Sequence, residues 1–179
     1  INEPTNAVGI SAVPALPDRP SIVVLPFENR SSDPEQDYFT DGMTDEITTA
    51  LGRFGRLFVI ARNTAFTFKR QSTDVRAVAK QLGVHFVLEG AVQRIGYRVR
   101  ITAQLIDGIS GAQIWAERYD DSIADVFDLQ ERITSAIVTS ISPNLDHAFA
   151  KRPAADTQRR YTSADDFAWR AWERLHVGI

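Results

Sequence analysis

Apolar side chains along this chain come in two rhythms. Residues 21–27, "SIVVLPF", form a short unbroken run, the pattern of a strand covered on both faces. Met43, Ile47, Ala50, Leu51 and Phe54 then recur at i, i+4, i+7, i+8 and i+11, which predicts a helix with one apolar face. Asp41 stands before that face as the expected N-cap, and Gly55 after it as the stop. A second buried run, "LFVIA" at 57–61, precedes a helix near 73–82. Its Val75, Val78, Ala79 and Leu82 share one face, and Gly83 closes it.

The rhythm then changes. Residues 85–95, "HFVLEGAVQRI", read as a long strand that Gly96 turns into 97–107. There Val99, Ile101, Ala103 and Leu105 alternate with Arg98, Arg100, Thr102 and Gln104, one buried face and one wetter face. "GISG" at 108–111 turns the chain again into 112–120. A third helix begins near Asp125, with Val126, Leu129, Ile133, Ile137 and Ile141 at helical spacing, and Pro143 is expected to stop or kink it. The succession βαβαβββα gives an α/β fold. Right-handed crossovers make the first three strands parallel, and two tight hairpins make strand four antiparallel. The expected sheet is mixed and five-stranded, in the order 2-1-3-4-5, with helices on both faces.

Composition adds mainly exclusions. The hydrophobic share of 44% and charged share of 24% are those of an ordinary globular protein. With no cysteine, disulfides and thiolate chemistry are absent. A formal charge of −3 supplies no general pull toward nucleic acid. No apolar run approaches the roughly eighteen residues that span a bilayer. Residues 1–20 hold four prolines without periodicity and read as a linker or arm, and 151–163 read as a second linker. Residues 164–179 start another helix, in which Phe167, Trp169, Trp172 and Leu175 are apolar and are expected to serve packing.

Several blocks in order, "PSIVVLPFENRSSDPEQDYFTDGMTDEITTALGRF", "LFVIARNTAF", "LGVHFVLEGAVQRIGYRVRITAQLID" and "GAQIWAERYD", resemble the TolB amino-terminal-like domain of bacterial class III adenylate cyclases and winged-helix regulators. The resemblance covers about residues 20–150 and implies the same five-stranded α/β fold. Residues 164–179 look like the start of a tetratricopeptide-type repeat. In that family the domain is a non-catalytic module that faces a partner or signal. Such a module implies a protein partner or its own adjoining domains, with a homodimer left open. Its compartment is cytoplasmic, or periplasmic where a membrane span precedes it. The alternative is a fragment of an adenylate cyclase that contributes directly to cyclic nucleotide synthesis, completed by a catalytic domain outside this chain.

The chemical constellations favour the first reading. A class III cyclase needs two metal-binding aspartates on adjoining strands. Asp107 and Asp120 end strands here, but beside turn residues, where Asp is common for backbone reasons. No phosphate-cradling G-x-x-x-x-G-K-[ST] or G-x-G-x-x-G occurs. His85, His147 and His176 lack second ligands at metal spacing, and His85 reads as packed or edge. "VRAVAKQLGV" imitates the first half of a helix-turn-helix, yet a β-rich segment follows it. Arg94, Arg98, Arg100 and Arg118 could form a basic stripe, with Glu89 and Glu117 as expected cross-strand partners. No catalytic, cofactor-binding or metal-ligating residue is assigned.

What remains is the acidic stretch between the first strand and first helix, at the carboxyl rim where open α/β sheets bind ligands. Counting Asp37 as position one of a calcium loop puts Phe39 third and Thr48 twelfth, and neither suits. An anion at the helix start would meet Asp41, Asp45 and Glu46. The stretch reads as a braced rim, its acids capping the helix or pairing with Arg30 or Arg62. The candidate partner or ligand residues are Asn29, Arg30, Asp37, Asp41, Arg62 and Asn63.

Overall fold

In the computed structural model, residues 13–152 are described. The chain runs β1 (Ser21–Val24), β2 (Glu28–Asn29), a 3-10 turn (Pro34–Gln36), α1 (Asp37–Gly52), β3 (Phe58–Val59), α2 (Arg62–Phe66), α3 (Val75–Leu82), β4 (Phe86–Ile95), β5 (Arg98–Asp107), β6 (Gln113–Ser122) and α4 (Val126–Ala150). The sheet follows the path β3-β1-β4-β5-β6, parallel from β3 to β4 and antiparallel through β5 and β6. One strand escaped the sequence reading. β2 pairs in parallel with Ala91 and Val92 of β4, off that path, so the mixed sheet has six strands rather than five and the expected order is amended there. Two residues of pairing leave no periodic signature, so this strand was not legible.

The unbroken burial of β1 reflects a core on each side of it. Ile22 and Val24 face the larger core, which α1 and α4 close with Met43, Ile47, Leu51, Ile137 and Ile141. Val23 and Val87 face the smaller one, closed by Ala65, Phe68, Val78 and Ala79. α1 and α3 therefore lie on opposite faces.

The strand expected at 57–61 shortens to Phe58–Val59, with Phe58 38% exposed rather than buried, and three expected helix boundaries move. α1 begins at Asp37, not beside Asp41, because the chain is already coiled by the preceding turn: Asp33 accepts from the Glu35 amide at 2.9 Å, and Pro34 occupies the first position. Asp41 is thus an interior residue rather than the N-cap. α1 ends at Gly52, before Gly55, and Phe54 beyond it is 46% exposed rather than part of the buried face. Pro143 does not stop the last helix, which continues to Ala150. An interior proline costs roughly 3 kcal/mol. Ile141 and Leu145 on either side of it are buried in the larger core, at about 1.5–3 kcal/mol each, so burial wins. Asp125 does cap α4, accepting from the Phe127 and Asp128 amides, and Gly83 closes α3 in the left-handed region.

Residues 13–20 form no helix or strand, and Pro14 lies against Gly83. The expected linker after 152 and the helix at 164–179, with Trp169 and Trp172, lie outside the described residues.

Candidate functional site

The carboxyl rim opens into a cleft of about 920 Å³, within the size range of ligand pockets. Its near wall is the segment after β1, from Leu25 to Arg30, together with Asp37. The far wall is the polar turn 68–73, and the floor is the face of β4, β5 and β6 that carries Glu89, Thr102, Gln104 and Arg118. Among the described residues no helix beyond α3 reaches across that floor, because α4 packs on the other face.

The rim acids follow the helical repeat. Asp37, Asp41 and Asp45 stand at i, i+4 and i+8 on α1 and meet a ladder of cations from the segment after β3. Asp37 Oδ2 accepts from Arg70 Nη2 at 2.7 Å, and Asp41 accepts from Lys69 Nζ at 2.6 and 2.7 Å. Asp45 Oδ1 lies 3.3 Å from Arg62 Nε. That third pair is an attraction of charges without an aligned hydrogen bond, and the Arg62 guanidinium stacks 4.1 Å above the Phe66 ring. Asn29 completes the brace: its Nδ2 donates to Asp37 Oδ1 at 2.8 Å and to the Asp33 carbonyl at 3.0 Å. The Asn29 hydrogen bond first, then Arg70, hold the Asp37 carboxyl below its usual range. Gln36 and the Glu35 amide do the same for Asp33.

Of the six candidate residues, Asn29, Arg30 and Asp37 line the cleft, and Asp41, Arg62 and Asn63 do not. Asp41 acts one step back, holding Lys69. Arg62 pairs with Asp45, as one of the two expected braces, whereas Arg30 turns to Glu28 at 2.8 Å. Asn63 is exposed near the start of α2. The sequence reading missed Lys69, Arg70 and the floor. The signal for the former was the polar run "FKRQSTD", which links α2 to α3 at the same rim. Arg70 also has φ 63°, the left-handed region, an uncommon conformation for a residue with a side chain. Its side chain is 79% exposed at the lip of the cleft.

The expected basic stripe needs correction. Arg94 stands opposite Val99 and so shares its core-facing side, donating to the Gly96 carbonyl and to Gln36 Oε1. Glu117 stands opposite Ala103, also on the α4 side, and accepts from Tyr119. On the open face, two of the arginines pair with Asp120 instead: Arg100 Nε at 2.6 Å and Arg118 Nε at 3.1 Å. Glu89 accepts from Gln104 across the strands. Arg100 above all holds the Asp120 carboxyl below its ordinary range.

Asp107 is engaged as well. Its Oδ1 accepts from the Ile109 and Ser110 amides, and its Oδ2 takes Arg152 Nη2 at 2.6 Å. His85 is packed, 5% exposed, with Nδ1 2.7 Å from Ser21 Oγ and its ring edge-on to Phe149. Among the described residues no three His, Asp or Glu side chains gather as a metal ion would require. No helix there is long and apolar enough to cross a membrane. The cleft thus offers amide, hydroxyl and braced charged groups to a polar ligand or peptide segment.

No family model matches the chain. It is 49% identical over 143 residues to a protein named putative adenylate cyclase 3 from Rhizobium meliloti (strain 1021); the match covers 80% of this chain. The chain spans about a quarter of that relative, 24% of its length. Among solved structures, lipoprotein GNA1162 from Neisseria meningitidis superposes with a TM-score of 0.52 at 21% identity, over 69% of this chain and 99% of that one. The two share the fold. TolB from Acinetobacter baumannii superposes at 0.49 and 17% identity, over 72% of this chain and 30% of that one.

Proposed function

We propose that residues 21–150 form a TolB amino-terminal-like regulatory or protein-interaction module of a bacterial adenylate-cyclase-type signalling protein, and that the module itself is non-catalytic. On this reading residues 1–20 and 151–163 are linkers and 164–179 begin a tetratricopeptide-type repeat. The observation that carries the proposal is the engagement of the carboxylates. Asp107 ends β5 and Asp120 stands within β6 opposite Arg100, near the other end of β5, so the two do not form the adjoining pair a nucleotide site would need; each is held by arginine, and the rim acids are held by Lys69, Arg70 and Arg62. The resemblance to a segment making up 24% of a cyclase-named relative supports it, since most of that relative lies beyond the match.

The ligand or partner face is the rim cleft. Its walls come from the two crossover segments, tied to one another by the acid–base ladder, so an occupant between them would bear on α1 through Asp37 and Asp41. The test has two arms. The chain alone, given ATP with magnesium or manganese, is expected to make no cyclic AMP, and turnover lost on Asp107→Asn or Asp120→Asn would overturn the proposal. In the full-length parent, Arg70→Ala is expected to change cyclic AMP output while leaving the melting temperature of the module within a few degrees. An unchanged output would remove the rim from the regulatory reading.

A further inference from the structure

β6 ends the sheet path, and among the described residues nothing pairs with its outer edge. The strand runs for ten residues, Gln113–Ser122, without a proline or a lysine, and its register with β5 shifts at Leu105/Ile106, beside the hairpin. A long edge of this kind is a template for another strand. The Ile123 amide fixes the phase of the backbone, since it donates to the Tyr97 carbonyl at 2.8 Å. Odd-numbered residues from Trp115 to Ile123 therefore turn their N–H and C=O groups toward β5, and Ala116, Arg118, Asp120 and Ser122 turn theirs outward. Side chains alternate in step with the backbone. Trp115, Tyr119 and Ile123 lie half-buried against the larger core, whereas Arg118 and Asp120 stand on the open face, opposite Thr102 and Arg100.

Charged side chains blunt an edge, and a strand of unrelated sequence would leave Glu117, Arg118, Asp120 and Asp121 without matching charges. A second copy of β6 matches them in one register. Laid antiparallel about a two-fold axis at Tyr119, it sets Arg118 opposite the partner's Asp120 and Asp120 opposite the partner's Arg118, both at outward-turned positions. Asp120 then keeps Arg100 at 2.6 Å on its inner side and takes the partner's Arg118 in place of its own, now 3.1 Å away. On the other face Tyr119 meets the partner's Tyr119, and Trp115 meets the partner's Ile123. Glu117 comes opposite the partner's Asp121, the one like-charge contact, but Asp121 holds Arg132 at 2.8 Å, so an arginine accompanies the two acids. Sliding the register either way is worse. The axis then falls on Arg118 against Arg118 or on Asp120 against Asp120, and Tyr119 faces Glu117 or Asp121.

We propose that two copies of this chain join β6 to β6 in that register, so that one sheet runs through both. The contact is isologous and closes at two copies. It uses neither the rim cleft nor the acid–base ladder, and so it stands apart from the regulatory reading. A single strand pair buries little area and its matched charges are exposed, so association is weak and weakens further with salt.

Sedimentation of the full 179-residue chain over a concentration series tests the proposal. The weight-average mass is expected to climb from one toward two chain masses and no further, and to fall back in high salt. Arg118→Asp and Asp120→Arg each change an exposed side chain, and circular dichroism checks that each folds. Alone, each sets like charges opposite one another on both sides of the axis and is expected to stay monomeric. Mixed, they are expected to form a one-to-one dimer, because every 118 then faces an opposite charge at 120. Tyr119→Cys gives a separate reading in a chain that has no cysteine of its own. Paired residues at the axis lie about 4.5 Å apart at Cα, within disulfide reach, so oxidation is expected to yield a covalent dimer. A monomer at every concentration would overturn the proposal. So would growth beyond two copies, assembly that survives either charge change, a mixture that stays monomeric, or a Tyr119→Cys chain that does not cross-link.

Discussion

Single side chains tie the end of β1 to α1. The Phe27 amide, buried beyond the last residue of the strand, donates to Thr44 Oγ1 at 3.0 Å, and that hydroxyl donates to the Thr40 carbonyl at 2.9 Å. Thr44→Val keeps the shape and removes both bonds, leaving a buried N–H without a partner. Such a loss costs about 1–3 kcal/mol, to be read from the urea midpoint at unchanged slope. Asp37 answers to pH instead. Asn29 and Arg70 depress its folded pKa below the unfolded value of about 3.9. Its stabilisation is therefore complete above about pH 4 and disappears as pH falls through the folded value. Wild type is expected to exceed Asp37→Asn in stability near neutrality, with the difference closing in acid. A difference that persisted after Asp37 had protonated would point to packing rather than charge.

At the scale of elements, Gly90 shows why a strand glycine has positional meaning. A Cβ built on it would lie 2.5 Å from the Phe27 ring and 2.5 Å from the Thr102 carbonyl, so the ring can cover β4 only where no side chain stands. Gly90→Ala is expected to cost about 1–3 kcal/mol through overpacking, measured as a lowered melting temperature. The sequence made such long-range elements readable wherever burial is periodic. The alternation of Val99 to Leu105 and the 3.6-residue spacing of Leu129 to Ile141 led directly to β5 and α4. It was silent where an element is shorter than its own period, as in β2 and the five-residue α2. It also misled where tertiary burial overrode a local signal: Pro143 sits inside a helix, and Asp41 inside α1 looked like a cap. The candidate site was legible as a place, the carboxyl rim, through Asn29, Arg30 and Asp37. Its partners Lys69 and Arg70 were not, because nothing local to "FKR" says which acids it will face.

The described residues form two cores sharing one sheet, and the rim cleft is walled by the smaller of them. Phe68, 9% exposed, fills that core and lines the cleft together with Val78. Because Val23 and Val87 face this core while their neighbours Ile22, Phe86 and Leu88 face the other, the shared strands couple the two. Phe68→Ala is expected to cost about 3–5 kcal/mol, and to do so to the domain as a unit. Heating should still give one transition, with calorimetric and van't Hoff enthalpies equal. Amide exchange should accelerate in α4, on the opposite face, as well as in α3, since both protect through the same global opening. If α3 alone lost protection while α4 kept it, the smaller core would be a separately opening flap over the cleft. The acid–base ladder between α1 and the segment 62–70 would then help to hold that flap shut, and Asp41→Ala would be expected to widen the gap in protection between the two helices.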